Sequence, residues 1–193
     1  MAKTKGYPEA LEKKLHEQRY FRDDSNPEFT KNVKAISRTI AHMCYQCGTC
    51  TGSCPSAPRS TYRIRKFMRR AVLGLENEAL TDPDLWLCTT CYSCSDRCPR
   101  DILPTDVIMA MRNLAFKRDI VPVNFLKTVQ AIYSSGHGVP NNDVNRAARE
   151  KLGLTRDPPT THMYPEFIPG IRKILDHYKL KANADRIVKE REG

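Results

Sequence analysis

No cysteine occurs before residue 44 or after residue 98, although the 193-residue chain contains eight. Disulfide scaffolds scatter their cysteines along a chain, whereas metal sites gather them. No apolar run approaches the roughly 18–20 residues that a membrane span needs. The first residues, Met1-Ala2-Lys3-Thr4-Lys5-Gly6, are basic, but the apolar core of a secretory signal does not follow them. The expectation is a cytoplasmic protein, in which thiols stay reduced and free for metal. Few segments alternate apolar and polar residues with period two, which argues against a strand-rich fold. There is no Gly-x-Gly-x-x-Gly turn, so no nicotinamide or flavin fingerprint, and no Cys-Cys pair. Intrinsic disorder is excluded by composition, with 40% hydrophobic and 28% charged residues.

What is present reads as helix nearly throughout. Tyr7-Pro8 opens a short charged segment with Leu11 and Leu15 on one face. Asn26-Pro27 has the form of an N-cap followed by proline at the first helical position. Phe29, Val33, Ile36 and Ile40 follow at helical spacing and lead into Cys44. Between the cysteine runs, Ile64, Phe67, Met68, Ala71, Val72 and Leu75 form an amphipathic stripe ending near Gly74. Asp82-Pro83 restarts the chain. Beyond Cys98, Thr105 is read as the cap of a helix bearing Val107, Ile108, Met111, Leu114 and Ala115. Pro122 opens another, with Phe125, Leu126, Val129 and Ile132. Helices are also expected from Asn142 to Leu152 and along Ile171, Ile174, Leu175 and Tyr178, with a charged tail from Lys181 to Gly193 left open. The expected organisation is an N-terminal extension over 1–25, a two-cluster domain over 26–120 and a C-terminal helical extension over 121–193. The fold class is all-α, with a helix–cluster loop–helix unit repeated once at an offset of 44 residues, from Cys44 to Cys88.

The repeated element is a cysteine run. The first is Cys44-Tyr-Gln-Cys47-Gly-Thr-Cys50-Thr-Gly-Ser-Cys54-Pro55, and the second is Cys88-Thr-Thr-Cys91-Tyr-Ser-Cys94-Ser-Asp-Arg-Cys98-Pro99. Both read C-x₂-C-x₂-C-x₃-C-P, the bacterial ferredoxin signature, whose fourth cysteine ligates the other cluster. Three cysteines two residues apart wrap three corners of an Fe₄S₄ cube, while the longer last spacer and the proline turn the fourth sulfur away. Under that rule Cys44, Cys47, Cys50 and Cys98 hold one [4Fe–4S] cluster, and Cys88, Cys91, Cys94 and Cys54 hold the second. Two alternatives stand beside it. Each run holds its own cluster without exchange, or the eight thiols form two Cys₄ zinc sites, a use for which the three successive steps ending in Cys-Pro are unnecessary. Gly48 and Gly52 are expected to take unusual φ values and let the first run approach its cluster. The second run must turn with ordinary residues.

With helical stripes entering and leaving both runs, the chain differs from small strand-containing ferredoxins. It resembles the α-helical ferredoxins found in the iron–sulfur subunits of succinate dehydrogenase and fumarate reductase. Within that group the whole chain is similar to the C subunit of heterodisulfide reductase, a small two-cluster subunit of methanogenic archaea. The resemblance implies an electron conduit in a cytoplasmic complex of methanogenesis, an oxidoreductase, with no catalytic residue in this chain. One implied partner is a flavin and iron–sulfur subunit. The other is a catalytic subunit that reduces the mixed disulfide of coenzyme M and coenzyme B on non-cubane clusters bound by Cys-Cys-Gly motifs. A hydrogenase or formate dehydrogenase belongs to the larger complex. The missing Cys-Cys pair and the missing glycine-rich turn agree with a conduit. A rival is the iron–sulfur subunit of a succinate-, fumarate- or glycolate-type complex, and a more distant rival is a metal-containing nucleic-acid-binding module.

The formal net charge is +10. Eight thiolates and two 2+ cluster cores would lower this to about +6, so much of the basicity balances the clusters. Arg59, Arg63, Arg65, Lys66, Arg69 and Arg70 crowd one stretch that has no acidic residue. A solvated helix face and an acidic partner surface both account for it, and no nucleic-acid fold accompanies it. His42 is the one histidine near a run. Tyr45 and Tyr92 are read as shields between cluster and water. The segment 134–140 is read as a polar connector between helices.

Overall fold

Asn26, Asp82 and Asn142 each start a helical segment by accepting from one of its first free amides. The computed structural model describes residues 24–192, so the segment with Leu11 and Leu15 lies outside the described residues. Asn26 caps helix α1 (Pro27–Ser37), its Oδ1 accepting from the Glu28 amide at 3.0 Å, with Pro27 at the first helical position. The inward face of α1 carries Phe29, Val33 and Ser37; Ile36 and Ile40 of the expected stripe are largely exposed. Ser37 tolerates burial because its hydroxyl donates to the Val33 carbonyl at 2.7 Å. A 3₁₀ turn, Ala41–Met43, delivers the chain to Cys44.

Helix α2 (Thr49–Gly52) is one turn inside the first run. Helix α3 (Ile64–Leu73) buries Ile64, Phe67, Met68 and Ala71, as its stripe requires. Helix α4 (Glu76–Thr81) follows, then the 3₁₀ segment Pro83–Leu87 and helix α5 (Ser93–Asp96) inside the second run. Helix α6 (Pro104–Lys117) starts at Leu103–Pro104, so Thr105 is not its cap. Thr105 instead lies buried in the first turn. No strand occurs among the described residues, and the fold is all-α.

The described residues fall into two compact units that divide between Ile120 and Val121. In the first, α1 packs on α6 and α3, and α3 packs on α4 and α6. Phe29, Phe67, Met68, Ile108 and Met111 are at most 1% exposed, and each contributes roughly 1.5–3 kcal/mol by leaving water. Two joints fix the chain around this core. Gly74 ends α3 at φ 73°, its carbonyl accepts from the Asn26 amide at 2.8 Å, and Asn26 Nδ2 donates to Glu76 at 2.6 Å. Asp82, which caps the Pro83–Leu87 segment, binds Arg70 at 2.5 Å and Lys66 at 2.8 Å. Burial resists its ionisation, but the Arg70 and Lys66 hydrogen bonds together outweigh it and hold the carboxyl below the usual range.

In the second unit, helix α7 (Val123–Ser135) packs along helix α10 (Leu180–Glu192), and helix α9 (Ile168–His177) packs on both. Helix α8 (Asp143–Lys151) is capped by Asn142, as its sequence suggests. The charged tail is therefore a 13-residue helix of this unit. Its Ala184 and Ile187 are buried, Asp185 accepts from Gln130 at 2.7 Å, and Glu192 pairs with Lys127 at 2.7 Å. Two apolar residues among many charges carry this packing, too few to stand out as a stripe. Among the described residues no helix is long and apolar enough to cross a membrane.

Candidate metal centre

The two cysteine runs fold alike, residue by residue, at an offset of 44. Gln46 and Thr90 are left-handed (φ 63° and 53°), and so are Gly48 and Tyr92 (φ 88° and 61°). Each second left-handed residue opens a one-turn helix. Its carbonyl accepts from the amide three residues on, Thr51 to Gly48 at 3.0 Å and Ser95 to Tyr92 at 2.8 Å. The turn closes identically, Cys54 amide to Thr51 and Cys98 amide to Ser95, both at 3.2 Å. Proline follows each and stops the helix. A non-glycine residue held left-handed costs about 1–3 kcal/mol, so Gln46, Thr90 and Tyr92 mark a loop shaped for what it carries. Gly52 does not share this role. It is helical inside α2, and a Cβ there would meet nothing within 4 Å.

All eight cysteines are free thiols. Cys44, Cys47, Cys50 and Cys98 line one concavity, walled by Met68, Ile102 and Pro104 and edged by Gln46 and Arg65. Gln46 Nε2 donates to Cys44 Sγ at 3.3 Å, and Thr49 Oγ1 lies 3.3 Å from Cys47 Sγ. Three of the remaining thiols share neighbours. Charge at Cys88 and at Cys54 acts on Tyr62, and charge at Cys88 acts on Cys94. Thr105 Oγ1 lies 3.1 Å from Cys94 Sγ, and Arg112 Nη2 donates to the Cys88 carbonyl at 2.8 Å. Helices α2 and α5 pack together, which brings the two runs side by side.

The thiols differ in character in the same paired way. Cys47 and Cys91 are exposed, and hydrogen bonding with Thr49 and Ser93, through side chain and backbone, lowers their pKa. Burial pushes Cys50 up to about 11 and also raises Cys94. Each set of ligands thus has an outer corner whose ionisation is eased by hydrogen bonds and an inner corner whose ionisation burial opposes and a bound cation would favour. Tyr62 is raised well above the ordinary phenol range, first by burial and then by charge at Cys88, so its O–H stays protonated.

These residues fit a polynuclear cluster. Among the described residues no three His, Cys, Asp or Glu side chains converge closely enough for a single metal ion. The donor set is all thiol, Gln46 donates to sulfur, the hydroxyls of Thr49 and Thr105 lie at hydrogen-bond distance from sulfur, and the buried Tyr62 Oη makes no hydrogen bond of regular geometry within the protein. Gln46, Thr105 and Tyr62 were not legible as site residues, since only the fold brings the last two to the sulfurs. His42 is exposed on its 3₁₀ turn. Tyr45 and Tyr92 are 57% and 46% exposed, so neither closes its run off from water.

The basic stretch is largely consumed inside the chain. Arg63 donates to the carbonyls of Ala57, Ser60 and Tyr62, Arg70 pairs with Glu78 and Asp82, and Lys66 pairs with Asp82 and Asp84. Arg65 extends over Gly48 at the rim of the first concavity. Little of the apparent patch remains as an unmatched phosphate-binding face.

Comparison with known proteins agrees with this chemistry. The family described as a 4Fe-4S dicluster domain matches residues 40–102, so 4Fe–4S clusters are the cofactor. The chain is 44% identical over 148 residues to the C subunit of the H(2):CoB-CoM heterodisulfide,ferredoxin reductase of Methanothermobacter marburgensis, covering 77% of this chain and 80% of that one. It is 40% identical over 161 residues to the iron-sulfur C subunit of the CoB–CoM heterodisulfide reductase of Methanopyrus kandleri, covering 79% and 84%. It is 37% identical over 150 residues to the C subunit of the ferredoxin:CoB-CoM heterodisulfide reductase of Methanosarcina mazei, covering 77% and 91%. Identity of this extent along most of both chains, on a helical frame that pairs two thiol runs, shows that the chain belongs to the C-subunit family of heterodisulfide reductase, iron–sulfur subunits of an oxidoreductase complex.

Proposed function

We propose that this chain relays electrons between a flavin and iron–sulfur subunit and the catalytic subunit of a cytoplasmic heterodisulfide reductase complex. Two [4Fe–4S] clusters would supply one-electron storage. Cys44, Cys47, Cys50 and Cys98 hold the first, and Cys88, Cys91, Cys94 and Cys54 hold the second. The observation that carries the reading is the concavity that Cys98 shares with Cys44, Cys47 and Cys50. The common exposure of Cys54 and Cys88 to Tyr62 supports the reciprocal exchange. With the matched loops, this favours a pseudo-two-fold unit spanning 26–120, with 121–193 as a helical extension for partner contact.

What the chain itself does is bind, orient and partly shield. Met68, Ile102 and Pro104 keep water from one side of the first site. Around the runs an apolar rim stays exposed: Ile40, Met43 and Tyr45 by the first, Leu87, Tyr92 and Leu103 by the second. Such rims suit partner proteins that cover Cys47 and Cys91. The partner on the catalytic side carries Cys-Cys-Gly motifs, and a hydrogenase or formate dehydrogenase joins the wider complex. Native mass spectrometry of the complex tests this. Co-purification with a Cys-Cys-Gly subunit is expected; a dicarboxylate-oxidising flavin subunit in its place would reassign the chain to a succinate- or fumarate-type complex.

A further inference from the structure

We infer that the buried phenol of Tyr62 donates a hydrogen bond to sulfur of the cluster held by Cys88, Cys91, Cys94 and Cys54, and so raises the reduction potential of that cluster alone. The inference rests on the two-cluster reading above. Tyr62 immediately precedes α3 and is 0% exposed, its ring 5.7 Å from that of Phe67, itself fully buried. Its Oη is buried with no hydrogen-bond partner, the one such side-chain atom among the described residues. A buried hydroxyl left without an acceptor costs about 1–3 kcal/mol, and phenylalanine would fill the same space without that cost.

The surroundings leave sulfur as the acceptor. The Tyr62 phenol lies within hydrogen-bonding reach of the Cys88 side chain, and charge at Cys88 and then at Cys54 acts on it, one thiol from each run and both from the same proposed set. Arg112, the positive charge that acts on the phenol, has no lone pair to offer. Arg112 is occupied elsewhere: Nε donates to the Leu85 carbonyl at 3.0 Å, Nη2 to the Cys88 carbonyl at 2.8 Å, and the guanidinium stacks over Trp86. It fixes the backbone that presents Cys88 to Tyr62. Reduction adds one negative charge to a cluster, so a donor on its sulfur stabilises the reduced form more than the oxidised form. The first run receives the Gln46 amide on Cys44 instead, and no buried hydroxyl of this kind.

The test is an anaerobic redox titration of the cluster-loaded full-length chain, followed by EPR, for wild type and Tyr62→Phe. Cys91→Ser marks the signal of the second cluster. Tyr62→Phe should move that signal to more negative potential by about tenfold in the one-electron equilibrium, which is about 59 mV, and leave the other unmoved. Full iron loading with both potentials unchanged would overturn the inference, as would a shift confined to the first cluster. If Tyr62→Phe fails to load, 3-fluorotyrosine placed at position 62 keeps the shape and strengthens the donor. It should shift the same potential upward, and no shift overturns the inference. Wild type with two iron atoms or fewer per chain would instead bring down the parent reading.

Discussion

Cys54 and Cys98 end their runs at the same kind of turn, yet Cys98 lines the concavity of the first run, and Cys54 acts on the same phenol as Cys88 of the second. Cys98→Ser is therefore expected to remove the cluster built on Cys44, Cys47 and Cys50, and Cys54→Ser the one built on Cys88, Cys91 and Cys94. Iron should fall from about eight to about four per chain in either variant. If ligands are not exchanged, the EPR signal lost will belong to the run that was mutated. Asp82 makes a second prediction at this scale. Its carboxyl pKa is held low in the fold, so its stabilisation is complete above the unfolded value, near 3.9, and is lost as pH falls through the lower folded value. Asp82→Asn should cost about 2 kcal/mol at pH 7, an estimate for breaking a partly buried charged network. The difference from wild type, followed by circular dichroism in urea, should shrink below about pH 4. The cysteines were legible because their spacing alone carries the chemistry. Tyr62 and Thr105 were not, since nothing local distinguishes a tyrosine or threonine that the fold turns toward sulfur.

Among the elements, the joint between α1 and α3 bears the most on the site, because α3 supplies Met68 and Arg65 to its wall and rim. Gly74 makes that joint possible. At φ 73° an added Cβ would stand 2.8 Å from the Asn26 carbonyl oxygen. Gly74→Ala should destabilise the first unit by about 2–4 kcal/mol through backbone strain and the displaced α1 cap, measured as a drop in urea midpoint. Most helices were readable from their caps and stripes: Asn26, Asp82 and Asn142 cap as their sequences suggest. Ser37, Thr105 and helix α10 bury polar-looking sequence, and each does so by hydrogen bonds or small residues that periodicity does not count.

For the whole molecule, the division between Ile120 and Val121 leaves all eight cysteines in the first unit. Deletion of Leu180–Glu192 removes the helix that packs along α7, and with it the buried Ala184 and Ile187. The second unit should become sensitive to proteolysis while iron stays at about eight per chain; a parallel loss of iron would mean that the units do not hold their structure separately. That eight thiols carry two cubane clusters can be measured by iron and sulfide quantitation with EPR of the dithionite-reduced, anaerobically purified chain. About eight iron and eight sulfide per chain are expected, with signals from two interacting reduced clusters. Two metal atoms or fewer, zinc in place of iron, or an EPR-silent reduced protein without sulfide would contradict it.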